Sequence, residues 1–121
     1  MANDFKRFTS ASLGTTTGAS ATAVYTVPSS SSTAMESIVI GITLANKSSS
    51  GITADVFLDN YAGSGDVYIV KNATIPAGAS LEVMSGNKLV LQGDGTNNDA
   101  LRISSSASAS LDATVSVLED V

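Results

Sequence analysis

From residue 22 onward, apolar and polar side chains alternate with period two, the repeat of a half-buried strand. Residues 22–27 (Thr-Ala-Val-Tyr-Thr-Val) predict a strand stopped by Pro28, which has no N–H to give a ladder. Residues 37–45 carry the clearest pattern, with Ile38, Ile40, Ile42 and Leu44 on one face. Gly41 falls on the other face, where a neighbouring backbone or subunit is expected to approach closely. After a polar turn at 46–51, Ile52, Ala54, Val56 and Leu58 alternate with Thr53, Asp55 and Asp59, and the two runs together read as a hairpin. Beyond a glycine-rich break at 60–66, the apolar residues of 67–74 are consecutive, which predicts a strand covered on both faces.

Pro76 and Gly78 then mark a turn, one fixing φ and the other supplying a permissive position. Short strands are predicted at 80–84, 88–92 and 100–104, and a last alternating one at 111–118 with Leu111, Ala113, Val115 and Val117 inward. Eight strands without a helix predict an all-β fold, a single antiparallel β-sandwich of jelly-roll or immunoglobulin-like topology. Residues 1–20 show no period and read as an extended N-terminal arm, leaving 21–121 as the sandwich domain. Phe5 and Phe8 are the aromatic groups by which such an arm would dock on a neighbour or on its own core.

Composition narrows the chemistry. The 121 residues include no Cys and no His, which excludes disulfides, thiolate nucleophiles, the Ser-His-Asp arrangement and most zinc sites. The expected class is therefore non-enzymatic. A net charge of −5, with only Lys6 and Arg7 adjacent among six basic residues, argues against nucleic acid and anionic membrane. No apolar run approaches the roughly 20 residues of a membrane span, and Lys6 and Arg7 are not followed by the apolar stretch of a secretory signal. The expected setting is a cytoplasm, or a particle assembled in one.

One acidic constellation merits a test. Asp94, Asn97, Asn98 and Asp99 share one loop and form an oxygen-rich set that Ca²⁺ would accept. That loop lacks the spacing of an EF-hand, and the same residues are those a tight turn prefers, so no metal or other cofactor is expected. Asp59 and Asp66, which flank a Gly-Ser-Gly, read as turn residues for the same reason. Asp55, Asp59 and Glu82 could be cast as a glycosidase pair, but a chain without Trp offers little platform for a sugar. What remains is assembly: a hydroxyl-rich surface and outward side chains around Tyr68 and Val70 suit burial against other chains.

Several segments together resemble small virion structural proteins of tailed phages, notably those of cyanobacteria. They are Phe5-Lys-Arg-Phe-Thr, Ala23-Val-Tyr-Thr-Val-Pro28, residues 38–46, residues 70–78, residues 88–94 and Val115-Ser-Val-Leu-Glu119. The resemblance implies a β-sandwich located in the virion, assembled in the host cytoplasm, with the major capsid protein or other virion proteins and its own copies as partners. Capsid decoration or cementing is the leading expectation. A neck, tail or fibre-associated role and a Ca²⁺-assisted carbohydrate-binding module are the alternatives.

Overall fold

The computed structural model describes residues 3–16, 21–28, 34–59, 66–84 and 88–120. Residues 60–65 of the predicted break at 60–66 lie outside them, as do 17–20, 29–33 and 85–87. Among the described residues nine strands form: β1 (Asn3–Ser10), β2 (Thr22–Thr26), β3 (Met35–Asn46), β4 (Ile52–Asp59), β5 (Asp66–Ile75), β6 (Ser80–Glu82), β7 (Leu89–Gly93), β8 (Ala100–Ser105) and β9 (Leu111–Asp120). They make two antiparallel sheets. Sheet A runs β1-β9-β3-β6, with β7 also pairing β3, and sheet B runs β2-β8-β4-β5. With β6 and β7 taken as two halves of one strand, this order is that of a jelly roll, which selects between the two predicted topologies.

The core lies between the sheets, where Val39, Ile42, Leu44, Val56, Leu91, Leu101, Ile103, Leu111, Val115 and Val117 are fully buried. At about 25 cal/mol per Å² of apolar surface removed from water, these branched side chains are the main source of stability. Their alternation comes from the pleat, which sends successive side chains to opposite faces.

Three features differ from expectation. First, residues 3–10 pair in unbroken register with β9, from Asn3↔Asp120 to Ser10↔Ala113. The segment read as an arm is an edge strand of sheet A. Its period is invisible in the sequence because an edge strand's inward positions sit at the rim of the core, where Lys6 is accommodated beside Phe8. Second, β3 and β4 are not a hairpin: β3 belongs to sheet A and β4 to sheet B. The turn between them is a corner built on Asn46, which is 2% exposed. Its Nδ2 donates to the carbonyls of Ser50, Ile75 and Pro76, and its Oδ1 accepts from the amide and hydroxyl of Ser48. These bonds direct the chain across the sandwich instead of back along its own sheet. Third, the face of β3 changes midway. Val39 opposes Val117 but Gly41 opposes Ser116, so Ile40 is an extra residue in a bulge. Val39 is therefore buried with Ile42 and Leu44, whereas Ile40 is exposed and Ile38 half-buried. The nearest atom to where a Gly41 Cβ would stand is Glu82 Oε2 at 3.6 Å, so close approach does not require glycine there.

Candidate interaction face

In β1, Phe5 and Phe8 are three residues apart, and an odd separation in a strand puts them on opposite faces. Phe8 turns inward and packs on Tyr25 with ring centroids 4.8 Å apart. Phe5 points out of the sandwich and is 78% exposed. The two cannot anchor one contact together.

Beneath β1 lies a polar network that sequence reasoning missed. Glu119 of β9 is 1% exposed, and its Oε2 accepts a hydrogen bond of 2.6 Å from the Tyr25 hydroxyl. The same hydroxyl lies 2.6 Å from Ser37 Oγ, which must then be the donor to it. Lys6 Nζ sits 3.0 Å from Glu119 Oε1, so β1 brings the counter-charge to a carboxylate that would otherwise be buried alone. Burial, and then the bond to Glu119, push the Tyr25 phenol well above its ordinary pKa. The network holds β1 against the sandwich from inside.

The outer face of sheet A is open. Register places Phe5 opposite Leu118, Leu118 opposite Ile38, and Ile38 opposite Val90. Directly paired residues share a face, so these four make one apolar row across β1, β9, β3 and β7. Leu118 and Ile38 are half-buried, whereas Val90 is 54% exposed, and the bulged Ile40 adds a further exposed side chain beside them. The rows on either side are polar: Arg7, Ser116 and Gly41 on one, Glu36 and Gln92 on the other.

Tyr68 and Val70, expected as an outward pair, separate. In sheet B, Val70 opposes the fully buried Val56 and packs against the core, while Tyr68 opposes Phe57. The cause is a second bulge, which inserts Ile69 between them and reverses the phase of β5. Tyr68 does face outward, but its ring lies 5.2 Å from that of Phe57, and Lys71 Nζ sits 4.5 Å over it. Another bulge beside it leaves Asn72 with φ 54°, and the Asp55 carboxylate accepts the Asn72 amide at 2.6 Å.

The loop carrying Asp94, Asn97 and Asp99 is a turn whose carboxylates meet its own amides. Asp94 Oδ1 accepts from Thr96 and Asn97, which holds the Asp94 carboxyl below its usual range. Asp99 is buried, and its Oδ2 accepts from the Gln92 amide in β7. Asp55 and Asp59 lie in sheet B and Glu82 in sheet A, so the three do not converge. Asp59 pairs with Arg102 at 3.0 Å. Asp55 lines a polar cavity of about 220 Å³ together with Thr15, Thr53, Asn72 and Ser104. That volume is below the usual range for small-molecule sites.

No protein-family model and no curated protein matches the chain. Among solved structures, a chain from the structure of infectious bursal disease virus Gx strain is a neighbour at 13% identity and a TM-score of 0.47. The alignment covers 96% of this chain and 32% of that one, so this chain spans about a third of its neighbour's length.

Proposed function

We propose that this chain is a non-enzymatic structural protein of a tailed-phage virion that decorates or cements the capsid, bridging coat subunits and copies of itself. The observation that carries this reading is the open outer face of sheet A. Contiguous apolar surface with a polar rim is uncommon on chains that act alone and marks contact surfaces. The resemblance of the strand and turn segments to small phage virion proteins supplies the setting, since a jelly roll by itself hosts many functions. Such a protein works by mass action: it binds the assembled lattice better than separate coat subunits and so shifts the equilibrium toward the particle.

The test is antibody-gold labelling of intact purified particles, with copy number measured by quantitative mass spectrometry. Label spread over the head, at hundreds of copies per particle, is the expected result. Label at one vertex or along the tail, at around a dozen copies or fewer, would replace decoration by a neck or tail role. Particles without the protein would remove the virion reading altogether.

A further inference from the structure

We infer that the outer face of sheet A is a two-fold contact between two copies of this chain, with the row Phe5–Leu118–Ile38–Val90 lying along the symmetry axis. This inference rests on the face that carries the virion reading and assigns that face to the contact between copies, and the experiment below separates the two.

Charge on the two flanks of the row selects this arrangement. Arg7 follows Phe5 by two residues on the same face, and Lys88 precedes Val90 by two, so by alternation both lie on one flank of the row. Glu36 precedes Ile38 by two and lies on the opposite flank, across from Gln92. None of Arg7, Lys88 and Glu36 has an ion-pair partner among the described residues. Glu82 stands on the same side as Arg7 and Lys88, with its Oε2 3.6 Å from where a Gly41 Cβ would stand and its Oε1 accepting from the Thr43 hydroxyl, so that flank carries two cations and one carboxylate.

Consider two such faces stacked at the roughly 10 Å spacing of packed sheets. A two-fold axis along the row exchanges the flanks, so the basic side of one copy covers the acidic side of the other, and Lys88 approaches Glu36 of the second copy. An axis perpendicular to the row, in the plane between the sheets, would instead set basic flank on basic flank and leave these charges opposed. The first arrangement stacks the apolar row on itself and brings the flank of Arg7 and Lys88 over the flank of Glu36, and it is isologous, as a closed dimer requires. Strands about 4.8 Å apart make the row about 14 Å long, and the whole face supplies roughly 500 Å² per copy. Twice that is at the low end for a specific interface, so the dimer should dissociate on dilution.

The chain has no cysteine, so single introduced thiols report symmetry without background. Residues on a two-fold axis face their own copies, and at this sheet spacing their thiols lie beyond the reach of a direct disulfide, so Leu118→Cys should be joined into a covalent dimer by a short bis-maleimide, while Tyr68→Cys, on the outer face of sheet B, should not. In sedimentation equilibrium over a concentration series, the native chain should pass from monomer to dimer. Lys88→Glu and Glu36→Lys should each weaken the dimer about tenfold, and the double variant should recover most of that loss. A native chain that stays monomeric throughout would overturn the inference. So would equal cross-linking of the two cysteine variants, or a double variant as weak as the singles. A monomer that still labels the phage head would overturn the dimer and leave the virion reading standing.

Discussion

Both sheets carry an aromatic side chain on their outer face, and the two are treated in opposite ways. In sheet B, Phe57 points away from the core cluster yet is fully buried, because a bulged β5 brings Tyr68 over it and Lys71 over Tyr68. In sheet A, Phe5 stands at the end of an apolar row and stays exposed, because β1 is straight and nothing in the described chain folds over it. Covering an aromatic ring from within makes it a stability element, whereas leaving it open makes it a contact element. The same residue type thus belongs to folding on one side of the sandwich and to association on the other.

The sharpest way to break this comparison is to truncate both rings. Phe57→Ala should cost about 3–5 kcal/mol, the usual range for a fully buried phenylalanine, read as a lower urea midpoint. Phe5→Ala should stay within about 0.5 kcal/mol of the native chain, as surface changes do. Equal losses would show that β1 depends on its outer ring after all.

A smaller effect tests whether β1 is held from inside. Tyr25→Phe removes the hydroxyl bonded to Glu119 and should cost about 1–3 kcal/mol at neutral pH. Tyr25 has a raised pKa in the folded chain, so its contribution is complete below the ordinary tyrosine pKa of about 10 and fades as pH rises above it. Above that point the unfolded phenol releases a proton that the folded one retains. The stability gap between the native chain and Tyr25→Phe should therefore narrow from about pH 10 upward, as measured by denaturation at fixed pH values. A gap that widens there would contradict the buried network.

The smallest effect concerns the cation over Tyr68. Lys71→Ala should cost about 0.5 kcal/mol, and the loss should be matched by Lys71→Leu in the same urea assay. A neutral Lys71→Ala would leave Phe57 covered by Tyr68 alone.

Most strand positions were legible because period-two alternation and Pro or Gly punctuation are local properties. Residues 111–118 needed nothing else, since their burial follows the pleat, whereas in 52–59 Asp55 and Phe57 are buried against the alternation. What was not legible depends on partners distant in sequence. Ile38, Ile40, Ile42 and Leu44 form an uninterrupted pattern, and only pairing with β9 shows that Ile40 is extra. Val70 follows Tyr68 by two, and only pairing with β4 reveals that Ile69 reverses the phase. Asn46 reads as one polar residue in a loop, yet its bonds to Ile75 and Pro76 reach across the fold. Of the candidate contact residues, Phe5 was found by its type on a polar segment. Leu118, Ile38 and Val90 gain their role only through register, which no single segment contains.

The pairing of β1 with β9 also sets an order of events during synthesis. Ser12 and Asp112, bonded at the end of that ladder, are 100 residues apart. At a ribosomal pace of about 5–20 residues per second, the β1 edge waits about 5–20 seconds before its ladder partner emerges. β3 waits for the same strand. Sheet A is therefore completed by a single late arrival, a topology that places folding in the slow, non-local class. Until then, the residues that later form its open outer row are exposed on unpaired chain, and in that interval the nascent protein is most in need of a chaperone.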